Sequence, residues 1–143
     1  MYERILVPFD GSDTARAAVD RAVELAATFG SAVHVVYVVD AWAYDTSIES
    51  AVEPLREEGE AHLERLLERI GTVDLPITTA IEVGRPARHI LEYATEHDIE
   101  LIVMGTRGRG GLQLRLLGSV TQYVVTHAEI PVHVVPAVEA SDA

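Results

Sequence analysis

A chain of 143 residues with 11 basic and 23 acidic side chains, a net charge of −12 and no cysteine has room for one domain around one core, and it cannot carry disulfide staples, thiolate catalysis or Cys-ligated metal. Every basic residue is arginine, so a Walker A loop, which needs a lysine on the β/γ-phosphates, is ruled out, and the acid surplus opposes binding to the phosphate backbone of nucleic acid. No basic leader with an apolar run opens the chain and no segment approaches about 18 unbroken apolar residues; a cytoplasmic protein with no membrane or nucleic-acid partner is the expectation.

In chain order, Arg4 to Pro8 is a short apolar run ending in Asp10-Gly11-Ser12. Asp13 to Phe29 then places Ala15, Ala18, Val19, Ala22, Val23 and Ala26 at helical spacing, with Gly30 as the stop. Ala32 to Val39 is a continuous β-branched run, as a strand covered on both faces requires. From about Ile48 to Ile70 a second helix puts Leu55, Leu63, Leu66, Leu67 and Ile70 on one side; Glu57, Glu58, Glu60, Glu64 and Glu68 form its solvated face, and Gly71 ends it.

Ile77 to Val83 reads as a third strand, Pro86 to His97 as a third helix with Pro86 in its first turn, and Glu100 to Met104 as a fourth strand. Gly118 to His127 makes the last helix and Ile130 to Val135 the last strand, framed by Pro131 and Pro136. This alternation implies a doubly wound α/β fold of three layers: a five-stranded parallel sheet with right-handed crossovers and helices on both faces. The domain is placed over residues 1–138; the end of the chain from Ala137 looks disordered, and 139–143 form a flexible tail.

The most informative segment runs from Gly105 to Ser119, a glycine loop leaving a buried strand and entering a helix, which is where an open α/β sheet holds phosphate. Glycine lets backbone amides approach an anion closely, and Ser119 would cap the helix or donate to a phosphate oxygen. Leu101 to Ala128 contains no Asp or Glu, while Arg107, Arg109 and Arg115 fall inside it. An acidic protein has left one loop positive. Other chemistries are poorly served. The six histidines show no H-E-x-x-H spacing, no G-x-S-x-G elbow occurs, Ser119 has no adjacent base, and Gln113 stands where a dinucleotide fingerprint needs its third glycine.

Gly105, Gly108, Gly118 and Ser119 have the spacing G-x2-G-x9-G-S, and here the chain resembles the universal stress protein family, whose ATP-binding signature has that form. The resemblance extends over essentially the whole chain, through Ile5-Leu6-Val7-Pro8-Phe9-Asp10-Gly11-Ser12, Val35 to Val39, Val83-Gly84-Arg85-Pro86, Leu101 to Gly108 and Pro131-Val132. It implies the strand order 3-2-1-4-5 of adenine nucleotide alpha hydrolase-like proteins, with nucleotide bound where the order reverses. It also implies that Pro8, Phe9 and Asp10 flank the nucleoside, with Asp10 towards ribose or a phosphate-bound Mg²⁺, and that Val38 backbone atoms meet the adenine edge. Met104, Gly105, Arg107, Gly108, Gly118, Ser119, Val120 and Thr121 would line ribose and phosphates.

Each assignment has a structural rival. Asp10 fits a turn or cap before Gly11-Ser12, Val38 is core on any reading, and Thr121 fits a first-turn hydroxyl. Trp42 and Tyr44 suit either a lid over the nucleoside or ordinary packing. The arginine bias with surplus acid resembles salt-adapted archaeal proteins, and high genomic G+C content gives the same bias. The resemblance implies an ATP-binding stress-response protein in which nucleotide is a regulatory or structural ligand, since no catalytic base for an attacking water can be named. The alternatives are a slow ATP hydrolase or autophosphorylating protein and a nucleotide-free interaction module. A homodimer joined through residues 130–135 is expected, because an apolar edge strand seeks a partner, unless Pro131 and Pro136 blunt that edge.

Overall fold

A computed structural model describes residues 2–40, 49–106 and 117–136, with side chains in the second helix described from residue 52. Its strands are β1 (Arg4–Phe9), β2 (Ala32–Asp40), β3 (Ile77–Gly84), β4 (Leu101–Gly105) and β5 (Val132–Val135); its helices are α1 (Asp13–Phe29), α2 (Glu49–Ile70), α3 (Pro86–Glu96) and α4 (Ser119–His127). All strand pairs are parallel and the order is β3-β2-β1-β4-β5, so the expected doubly wound fold is the one formed.

The β-branched strands bury both faces, as a parallel sheet under two helix layers must. On one face Ile5, Val7, Phe9, Val33, Val35 and Val103 meet Ala15, Ala18, Val19, Ala22 and Ala26 of α1 and Leu63 and Leu66 of α2. On the other, Leu6, Val36, Ile102 and Met104 meet Ile90 and Tyr93 of α3 and Val124 of α4. The alanine stripe on α1 is what brings that helix close to the sheet. Each fully buried Ile, Leu or Val contributes about 1.5–3 kcal/mol.

Helix limits follow local chemistry. Ser12 caps α1, its Oγ accepting the Ala15 amide at 3.1 Å, and Gly30 ends it in the left-handed region at φ 69°. Pro86 occupies the first turn of α3. Glu57, Glu58, Glu60, Glu64 and Glu68 are exposed as expected. Leu67 is not on the buried side: it is 41% exposed, because Leu63 and Leu66 already fill the seam. β5 starts at Val132, two residues later than the sequence suggests: Pro131 has no amide to give the ladder and joins it only through its carbonyl, which accepts the Ile102 amide at 3.1 Å, and Ile130 packs against the core on the α3/α4 side. Residues 137–143, and with them the expected tail, lie outside the described residues.

Candidate functional site

β1 and β4 are neighbours at the centre of the sheet, yet the helices that follow them pack on opposite faces. α1 and α4 therefore leave the carboxyl ends of the two strands on opposite sides, the position at which an open α/β sheet places its ligand crevice.

From β1, Pro8 lies on the α3/α4 side by strand alternation, and Asp10 follows at the rim, half-buried. Asp10 Oδ1 accepts the Ser12 amide at 3.0 Å, so the turn role is real; the carboxylate organises the loop that presents it. The Phe9 side chain points the other way, 4% exposed within the α1/α2 core, and only its backbone borders the crevice. Val38 of β2 and Met104 of β4 share the face of Pro8, both packed with the α3/α4 core.

At the end of β4, Gly105 abuts helix α1: a Cβ placed there would lie 2.9 Å from Thr14 Cβ and 3.0 Å from the Thr14 carbonyl. Thr121, 3% exposed, donates its hydroxyl to Gly105 O at 2.8 Å and ties the first turn of α4 to the strand. The Gly118 amide donates to Thr106 O at 2.6 Å, and the Thr106 amide to Val135 O at 3.1 Å. Thr106 and Gly118, twelve apart in sequence, are thus stapled together just past the end of β4.

Gly118, not Ser119, is the N-cap of α4, with φ −64° and ψ 160° and no side-chain cap. The expected Ser119 cap is therefore absent; Ser119 is the first helical residue, and it is exposed. The first helical bond runs from the Gln122 amide to Gly118 O at 2.9 Å. The amides of Ser119, Val120 and Thr121 precede it and have no acceptor within the helix, and the helix dipole adds its positive end there. Val120 packs its side chain against the α3/α4 core. Arg107, Gly108, Arg109, Arg115, Trp42 and Tyr44 lie outside the described residues.

The histidines lie in core or surface contacts. His34 Nδ1 and the Tyr93 hydroxyl are 2.7 Å apart, and His97 stacks on Tyr93 at 3.8 Å. Burial, with His97 and Arg4 nearby, lowers the His34 pKa; burial, with Glu82 nearby, raises that of Tyr93. His89 faces Glu82 at 3.6 Å, His127 lies 2.9 Å from Tyr123 O and His133 is exposed. Among the described residues no three His, Asp or Glu side chains converge as a metal site, and no helix is long and apolar enough to cross a membrane.

The model of the universal stress protein family matches residues 1–136. The chain belongs to that family. It is 37% identical over 140 residues to universal stress protein MJ0531 of Methanocaldococcus jannaschii, covering 94% of this chain and 82% of that protein. The solved structure of MJ0577 from the same organism superposes with a TM-score of 0.86 at 28% identity, covering 98% and 99% of the two chains. A universal stress protein solved in complex with cAMP superposes with a TM-score of 0.72 at 29% identity, covering 94% and 97%. Strand order and layers in this family member are those the sequence resemblance implied. Sequence reasoning missed His62 of α2, which bears on Gly11 of the β1–α1 turn, and Gly59, which lies against the Tyr37 ring; a glycine in mid-helix was the available signal of a close approach.

Proposed function

We propose that the chain binds an adenine nucleotide, ATP first among them, across the ends of β1 and β4, and holds it as a regulatory or structural ligand in a stress response. The observation that carries this reading is the coincidence of the G-x2-G-x9-G-S spacing with the reversal of strand order: the Gly118 amide bonds Thr106 O and the Thr121 hydroxyl bonds Gly105 O, which holds the amide end of α4 against the end of β4 beside that reversal. The solved cAMP complex of a relative at 29% identity supports the ligand class. Pro8 and the Val38 backbone would flank the nucleoside, with the Phe9 backbone beside them, and Met104, Gly105, Gly118, Ser119, Val120 and Thr121 would line ribose and phosphates; the resemblance adds Arg107 and Gly108, which lie outside the described residues. Purified protein is expected to carry adenine nucleotide and to turn it over negligibly, as read by chromatography of the denatured extract and by phosphate release. Steady release of phosphate would transfer the reading to a slow ATP hydrolase, and protein that neither carries nor binds nucleotide would leave the interaction module.

The half-buried Asp10 carboxylate suits Mg²⁺, which takes one or two carboxylates together with substrate phosphates. The ion would neutralise phosphate charge, and Asp10 would hold it while its turn stays fixed through Ser12. Asp10→Asn is expected to weaken Mg²⁺–ATP binding about tenfold, or about 1.4 kcal/mol, and binding of ATP in EDTA far less. Equal losses in the two titrations would assign Asp10 to ribose or to the turn alone.

A homodimer through β5 is part of the same proposal. The Pro131 and Val135 carbonyls bond to β4, so alternation turns the Val134 amide outward along an edge where Val132 and Val134 are only half-buried. Antiparallel pairing about a two-fold axis would satisfy both edges. Val134→Pro removes that outward donor, and sedimentation is expected to show dimer for the parent and monomer for the variant. Dimers in both would place the contact elsewhere, and monomers in both would mean that Pro131 and Pro136 suffice to protect the edge.

A further inference from the structure

We infer that His62 of α2 is a positioning residue for the Asp10-Gly11-Ser12 turn, holding that turn's backbone, and with it the Asp10 carboxylate, in the geometry that meets the nucleotide. The inference rests on the nucleotide reading above. Gly11 has φ +84°, in the region open chiefly to glycine. Its missing side chain is replaced by a neighbour's: a Cβ on Gly11 would lie 2.7 Å from both Cε1 and Nδ1 of His62. The imidazole therefore occupies the space beside the most pliable residue of the turn and blocks the alternative backbone conformations that glycine otherwise permits.

The ring is itself held on several sides. It stacks on Tyr37 of β2 at 5.9 Å and 17°, its Nδ1 accepts from Arg65 Nη2 at 3.1 Å, and its Nε2 lies 3.6 Å from Glu58 Oε1. Accepting at Nδ1 places the imidazole proton on Nε2, towards Glu58. Tyr37 is seated in turn against Gly59, where a Cβ would lie 2.7 Å from the Tyr37 ring. Gly59, Tyr37, His62 and Gly11 form one packed series from α2 to the rim of the crevice. The turn's own bonds, Asp10 Oδ1 to the Ser12 amide and Arg16 Nη1 to Gly11 O at 2.7 Å, then act on a backbone with one conformation to hold.

The test compares His62→Ala and His62→Gln, which lose the ring, with His62→Phe, which keeps it. Calorimetry with Mg²⁺–ATP is expected to show about a tenfold weakening in the first two, the lower end of the scale on which loss of a supporting residue degrades a site, and recovery to within about twofold in His62→Phe. Hydrogen exchange of the Ser12 amide, read without ligand, is expected to accelerate in His62→Ala and His62→Gln and to return to the parent rate in His62→Phe. Gly11→Ala should cost less affinity in the His62→Ala background than in the parent, because the clash with the ring is gone and only the φ strain remains. Parent-like affinity and exchange in both ringless variants would overturn the inference, as would equal loss in His62→Phe. A parent protein that binds no ATP would remove the nucleotide reading, while the exchange data would still report whether His62 holds the turn.

Discussion

Gly118→Val is expected to leave the fold standing and to lower adenine-nucleotide affinity at least about a hundredfold, or about 2.7 kcal/mol. The two effects separate because the backbone at Gly118, φ −64° and ψ 160°, is open to any residue. Valine there keeps the amide bond to Thr106 O, and the change at an N-cap that already lacks a side-chain bond costs the helix about 1 kcal/mol at most. What valine would take away, on the proposed reading, is access: its branched Cβ would stand where a bound phosphate would come within hydrogen-bond reach of the Ser119 and Val120 amides. Calorimetry with ATP measures the loss, and a thermal melt of the ligand-free variant measures the fold. Undiminished ATP affinity would remove the phosphate footprint from the start of α4.

Gly105→Ala is expected to act in the opposite proportion, on stability first. The added methyl would stand 2.9 Å from Thr14 Cβ and 3.0 Å from the Thr14 carbonyl atoms, and backbone cannot rotate aside as a long side chain does. Either α1 lifts from the end of β4 or the strand end shifts, and overpacking of this kind costs about 1–3 kcal/mol, or about 2–12 °C in the melting midpoint of a domain this size. A shifted strand end also strains the Thr121 hydroxyl bond to Gly105 O, so affinity should fall along with stability. Urea unfolding with an unchanged slope and a lowered midpoint is the expected result; an unchanged midpoint would mean that the packing of α1 on β4 yields without cost.

Much of this was legible in the residues because period and punctuation agree along the chain. The run Ala32–Val39 reads as strand from its β-branched residues alone, and α1 from its alanine stripe and the Gly30 stop. The crevice was legible from the glycine spacing joined to the family resemblance. Side-chain roles at the site were harder to see. Nothing in sequence tells that the Phe9 ring turns into the α1/α2 core while its backbone borders the crevice, since one residue of register decides it. The hydroxyls of Ser119 and Thr121 differ for a similar reason: a one-residue choice of N-cap leaves the first exposed and buries the second against Gly105 O. The contact of His62 with Gly11 joins residues fifty-one apart through the crossing of α2 over a loop, and no local pattern encodes that.

The central position of β1 has a consequence for how the molecule comes into being. β1 pairs with β2 within the first half of the chain, but its other edge waits for β4, where Ile5 meets Leu101 and Leu6 meets Ile102. At a synthesis rate of about 5–20 residues per second that edge stands open on the nascent chain for about 5–20 s. During that interval the unit from β1 to β3 presents buried-type residues, Leu6 and Val36 among them, to water and to other chains. β4 and α4, which supply one side of the proposed nucleotide site, arrive late and just ahead of β5, so completion of the sheet and completion of that site fall together at the end of synthesis.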